Sequence, residues 1–292
     1  MSKSKKRRDI PRLGHPIIET HCHLDYLEAV LLSREGRKEE ANSILEGLLE
    51  EEFLLKDYVL MHLIENLDDQ PLSLSQPYFE KFASDYRSHP EWAATALLYA
   101  KKLEEIGEYV EAKVWYDRVW RSRRKPLSRE AALGHALLHL KTNEESETVR
   151  DLHSLIQKND RDDVAYKGLQ KLEELEPLES LNEAKARQAA EVCLNNRDSA
   201  RLRTYLNYLI DKYPKSPSRD LYGYMMGRSY VFGDDYQPAV EAYDKNYTLF
   251  PKSSWGIFSA DVSANTALRG RDYEGAEKRY RSFLRDHPTS KH

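Results

Sequence analysis

Three short phrases recur along the carboxyl-terminal half of the chain: Tyr213-Pro214-Lys215-Ser216, Phe250-Pro251-Lys252-Ser253 and His287-Pro288-Thr289-Ser290. Their prolines are 37 residues apart. Ala239 and Ala276 stand twelve residues before Pro251 and Pro288. Each alanine has a tyrosine three residues before it (Tyr236, Tyr273) and another four after it (Tyr243, Tyr280). A recurrence of this length is the mark of a solenoid whose unit is a helical hairpin. A solenoid offers an extended surface to partners and needs no catalytic pocket to be useful.

Within 220–253, Gly227 falls where two helices cross closely and a side chain would hold them apart. Gly233-Asp234-Asp235 ends the first helix, and Tyr236-Gln237-Pro238-Ala239 starts the second, with Pro238 in a first turn where its missing amide costs nothing. Residues 257–288 repeat the scheme with Ala264, Gly270, Ala276 and Tyr280. Upstream, 93–126 carries Ala100, Gly107, Ala112 and Tyr116, and a unit starting near Cys22 carries Ala29, Gly36 and Ala41. Between Pro177 and Pro214 the copy is degenerate, with Ala190 at the crossing and Leu202 in place of alanine. Helices are predicted over 57–67, 78–87, 129–141, 145–157 and 163–175, and prolines, Pro77 among them, are read as boundaries. The expectation is an all-α, right-handed superhelical solenoid of about 14 helices paired as antiparallel hairpins. Its segments are a basic, disordered tail over 1–18, hairpins over 19–126, degenerate repeats over 127–180 and regular repeats over 181–292.

These residues resemble the tetratricopeptide-repeat family, in which small residues sit at the eighth and twentieth positions of each unit, aromatics near the seventeenth and twenty-fourth, and proline near the thirty-second. Gly227, Tyr236, Ala239, Tyr243 and Pro251 match; so do Ala264, Tyr273, Ala276, Tyr280 and Pro288, and Ala100, Tyr109, Ala112 and Tyr116. The Tyr-Pro-Lys-Ser phrase is similar to bacterial envelope arrays of the family and to the superhelical region of soluble lytic transglycosylases, whose catalytic domain has no counterpart here. The aromatic run Trp92, Tyr99, Tyr116, Trp120 has the flavour of half-repeat RNA-processing scaffolds.

The resemblance implies a concave groove lined by the first helix of each hairpin. In that register the groove residues are Leu97, Lys101 and Glu104, then Arg187 and Glu191, then Tyr224, Arg228 and Phe232, then Phe258, Asp261, Asn265 and Arg269. Aromatic anchors beside arginines suit an extended peptide or a helix laid in a groove. The leading reading is therefore a non-catalytic scaffold or adaptor for a protein or peptide partner, without a cofactor. The half-repeat likeness implies an RNA-processing scaffold as an alternative, and Arg118, Arg121, Arg123, Arg124 and Lys125 beside Trp115 and Trp120 suit single-stranded nucleic acid or an acidic peptide. The structural alternative for that cluster buries both tryptophans between hairpins.

Two histidine patterns invite a metal. Glu19-Thr20-His21-Cys22-His23 resembles the metal-binding opening of TatD-type hydrolases, which would make the chain a metal-dependent hydrolase with Glu19, His21 and His23 as ligands. Alternating histidines share a face only on extended backbone, and this phrase runs into a helix, so the preferred reading has His21 at the helix start and Cys22 packed on the next hairpin. His135 and His139 stand four apart on one helical face, but the sequence shows no third ligand near them; core histidines are the simpler reading.

Bulk composition agrees with long helices that each have one wet face. Apolar residues make up 40% and charged residues 32%, and the net charge of −4 gives no global pull toward nucleic acid. Cys22 and Cys193 form no disulfide framework. No apolar run reaches ~18 residues, so no membrane span is expected. The basic start, Met1 to Asp9, lacks an apolar core behind it, which points to the cytoplasm, or to the envelope if a signal has been removed.

Overall fold

The computed structural model describes residues 16–158 and 161–288, with side chains from residue 21 onward. The basic segment 1–15 and the last phrase beyond Pro288 lie outside the described residues. All regular structure among the described residues is helical: fifteen α-helices and one short 3-10 turn, one helix more than the repeat pattern suggests. The chain divides into two compact units, 1–135 and 136–292.

The first unit holds α1 (Pro16–Arg34), α2 (Lys38–Glu50), α3 (Lys56–Asn66), α4 (Leu72–Asp85), α5 (Trp92–Glu105) and α6 (Tyr109–Arg121). The division falls inside α7 (Leu127–Lys141). The second unit continues with α8 (Glu145–Lys158), α9 (Asp163–Leu175), a 3-10 turn (Leu178–Ser180), α10 (Glu183–Asn195), α11 (Ser199–Lys212), α12 (Arg219–Val231), α13 (Tyr236–Leu249), α14 (Ser254–Arg269) and α15 (Tyr273–Asp286). Short turns make α1/α2, α5/α6, α10/α11, α12/α13 and α14/α15 packed antiparallel hairpins. Helix α9 follows α8 across residues 159–162. It packs on α8, and the chain then passes through the 3-10 turn to α10, which pairs forward with α11.

One turn geometry recurs. Gly36, Gly107, Asn143, Arg197, Asp234 and Arg271 all adopt positive φ, between 56° and 87°. The residue after each donates its backbone N–H to a carbonyl five residues back: Arg37 to Leu32, Glu108 to Leu103, Glu144 to His139, Asp198 to Cys193, Asp235 to Tyr230 and Asp272 to Ala267, at 2.7–3.1 Å. This is the Schellman closure, which satisfies a helix's last carbonyls with a left-handed residue. Asp198 and Asp272 then cap the next helix by accepting from the backbone N–H groups of Arg201 and Gly275. Arg197, Asp234 and Arg271 are spaced by 37, so the period is written in the turns as well as in the prolines. Asn143 shows that the α7–α8 turn keeps this form in a stretch where the sequence consensus fades.

The small residues sit where the pattern puts them. Ala29, Ala41, Ala100, Ala112, Ala190, Ala239 and Ala264 are fully buried, Ala276 is 2% exposed, and Leu202 takes its alanine's place in the core. A Cβ on Gly227 would enter the Tyr243 ring, so glycine lets α12 close on α13. The Pro-Lys-Ser phrases join hairpins: Ser253 caps α14 by accepting from the Gly256 N–H, and Ser216 accepts from the Ser218 N–H while its hydroxyl donates to Glu183 of α10. Two expectations change. Pro77 lies inside α4, which starts at Leu72, so it marks no boundary. Helix α1 begins at Pro16, so His21 neither precedes nor caps it.

Candidate functional site

In the second unit the first helices of successive hairpins, α10, α12 and α14, lie side by side. Tyr224, Arg228 and Phe232 follow at four-residue steps from α12 to its end, which puts them on one face. Phe258, Asp261, Asn265 and Arg269, at steps of three, four and four residues, share a face of α14 in the same way.

The face has an aromatic centre. The Tyr224 ring stacks on Trp255 with centroids 4.7 Å apart and planes 29° apart. Phe258 lies 5.3 Å from Tyr224 and 6.0 Å from Trp255. Beneath them Tyr243 of α13 is buried, 5.9 Å from Tyr224. Trp255 is 37% exposed, so the shelf meets solvent. Burial pushes the Tyr224 phenol above its ordinary pKa, while the Arg228 charge nearby works the other way. Such a shelf favours flat or branched apolar groups. Trp255 was not among the groove residues read from the sequence; its three-residue step to Phe258 was the available signal.

Polar groups border the shelf. The half-buried Arg228 guanidinium lies 5.3 Å from the Phe232 ring, with Arg197 5.9 Å from the same ring. No carboxylate pairs with Arg228 among the described residues. Asp261 and Asn265 likewise make no side-chain hydrogen bond or ion pair there. Arg269 turns to the α12–α13 turn, over Tyr236 at 5.2 Å and 3.9 Å from Asp234. Arg187 and Glu191 pair along α10 at 3.5 Å.

The first-unit residues behave differently. Lys101 is paired with Glu130 at 2.6 Å, and Glu104 accepts from the Tyr116 hydroxyl at 2.7 Å. Leu97 is 3% exposed and belongs to the core, not to a groove. Trp115 is buried with Arg118 over its ring at 4.3 Å, and Arg124 donates to the carbonyls of Arg87 and His89. That leaves the arginine cluster without an open tryptophan platform at Trp115.

The amino-terminal metal phrase is helical. His21 and His23 are exposed on α1, and residues two apart on a helix point to different sides. The His23 ring packs edge-on against Phe53 at 5.2 Å. The side chain of Glu19 lies outside the described ones. Cys22 is buried against Ala41 and Leu45 of α2. For His135 and His139 the structure supplies the missing third group: Asp151 of α8, whose Oδ2 is 3.5 Å from His139 Nε2.

Comparison with known proteins gives fold likenesses only. No protein-family model matches the chain, and no curated protein matches it in sequence. Among solved structures, a tetratricopeptide repeat protein from Parabacteroides merdae is 14% identical, covers 90% of this chain and 92% of its own, and has a TM-score of 0.41. Pseudomonas aeruginosa pilF is 13% identical over 83% of this chain and 98% of its own, with a TM-score of 0.37. MamA from Desulfovibrio magneticus is 13% identical over 68% of this chain and 97% of its own, with a TM-score of 0.35. None of these comparisons supports the finer likeness to lytic transglycosylases expected from the sequence. No helix among the described residues is long and apolar enough to cross a membrane.

Proposed function

We propose that the chain is a non-catalytic scaffold that binds a protein or peptide segment on the α12–α14 face of its second unit. One observation carries the reading: the Tyr224–Trp255–Phe258 shelf is open to solvent beside Arg228, a half-buried guanidinium with no carboxylate partner among the described residues. An aromatic anchor next to an arginine is the composition of an interaction hot spot. Neighbouring groups such as Asp261 and Asn265 would fix the direction of the bound segment by hydrogen bonds.

The test is affinity capture from the native source with the wild-type chain and with a Tyr224→Ala/Arg228→Glu variant, followed by direct titration of the purified partner. The reading expects at least a tenfold loss of affinity in the variant, with the fold intact by circular dichroism. A partner held at full affinity removes this face from the account.

A further inference from the structure

The geometry points to a divalent transition-metal site built on His139 and Asp151, with His135 one helical turn earlier on α7. The α7–α8 turn starts the construction. Asn143 takes φ 59°, and the Glu144 N–H closes on the His139 carbonyl at 2.7 Å. That closure sets the Glu144 carboxylate against His139 Nδ1 at 2.5 Å. An ionised carboxylate only accepts, so Nδ1 is the donor and the ring presents Nε2 on its other side. A carboxylate on the far nitrogen is the usual support for a metal-ligating imidazole, because it fixes the tautomer and raises basicity.

Nε2 faces Asp151, with Oδ2 at 3.5 Å. Ligand bonds of about 2.0–2.1 Å to one ion would span that gap at an angle of roughly 115–120°, close to tetrahedral. His135 shares the helical face, and one donor atom from each of the three residues lies within 4.8 Å of the others. His139 is 4% exposed, and Asp151 is largely covered, so the donors sit out of bulk water. Two imidazoles and one carboxylate suit Zn²⁺ or a neighbour such as Co²⁺ or Ni²⁺, and disfavour Mg²⁺, which prefers an all-oxygen shell. The ion would clamp α7 to α8 and keep a fourth position for water or a partner's donor. The rival is a metal-free clamp in which the His139 ring bridges Glu144 and Asp151 directly.

Tag-free full-length chain, stripped with a chelator, separates these cases. It is titrated calorimetrically with Zn²⁺ and with Mg²⁺, desalted and assayed for metal, then melted. The expected result is one retained equivalent of Zn²⁺, a raised Tm and no Mg²⁺ binding. Asp151→Asn, which preserves shape, and His139→Ala should each weaken Zn²⁺ at least tenfold, while a His21→Ala/His23→Ala variant should not. Stoichiometric Zn²⁺ absent from the wild type, a Tm unmoved by Zn²⁺, or equal binding by Asp151→Asn would overturn the site in favour of the metal-free clamp. Loss of Zn²⁺ in the His21→Ala/His23→Ala variant alone would overturn it in favour of the amino-terminal phrase.

Discussion

Replacing Gly227 by alanine tests whether the crossing of α12 and α13 is as close as the fold requires. The new Cβ would lie 2.5 Å from Cδ1 and 2.7 Å from Cζ of Tyr243. Non-bonded carbons rest about 3.5–4.0 Å apart, so the ring would have to retreat by roughly 1 Å. It has little room: Tyr243 is 1% exposed and packs with Val231, Ala239 and Tyr224. Forcing a methyl into such a site costs about 1–3 kcal/mol. Alanine gives back about 1 kcal/mol of helix propensity, so the single variant should lose up to about 2 kcal/mol. A double-mutant cycle removes that offset. In a Tyr243→Leu background the methyl has space, and the same change should be neutral or stabilising, giving a coupling of about 1–3 kcal/mol. The assay is urea unfolding of the four proteins followed by circular dichroism, with amide exchange in α12 and α13 as a local readout, because hairpins in such arrays loosen near the lesion first. A coupling below about 0.5 kcal/mol, or a Gly227→Ala variant more stable than wild type, would refute the close crossing.

Ala239→Leu attacks the same crossing from α13 and should destabilise by about 1–3 kcal/mol in the same assay, since Ala239 is fully buried. Arg271→Gly should stabilise by about 0.5 kcal/mol in thermal unfolding, because a side chain at φ 63° is strained where glycine is not. Asp198 predicts a pH dependence. Burial works against its charge, but hydrogen bonds from Tyr166, the Arg201 side chain and the Arg201 N–H outweigh it and hold the carboxyl below its ordinary pKa. The stabilisation is therefore fully present above the unfolded value of about 3.9 and is lost as pH falls through the lower folded value. Asp198→Asn should flatten that acid limb of a Tm–pH curve.

Much of the fold was legible because two physical requirements repeat at 37 residues. One is a small residue at each helix crossing, as at Gly227, Ala239, Ala264 and Ala276; the other is a proline where the second helix ends. A third repeat went unread. Arg197, Asp234 and Arg271 share a left-handed turn, yet their side chains have nothing in common, so the backbone geometry left no mark on residue type. Helix α9 is legible at 163–175 from its apolar spacing, which the structure reproduces residue for residue. Pro77 misled because a proline in a helix's first turns reads the same as one in a linker, and α4 begins five residues before it.

The candidate sites were legible in part. Four-residue spacing found Tyr224, Arg228 and Phe258 on first helices but could not tell which groups were already engaged, as Lys101 is by Glu130 and Glu104 is by Tyr116. Trp255 was passed over because it precedes the repeat's small-residue register. The His135/His139 pair was seen, but its carboxylate, Asp151, is twelve residues further along and reaches His139 only through the α7–α8 turn.

The proposal that a partner binds the α12–α14 face stands or falls on one titration. The purified partner is titrated against wild type, Tyr224→Ala/Arg228→Glu, and a control with Lys278→Glu and Arg281→Glu on α15. Affinity should be at least tenfold weaker for the first variant and near wild type for the control, with all three proteins folded. Full affinity in the Tyr224→Ala/Arg228→Glu variant, or equal loss in both variants, would contradict it.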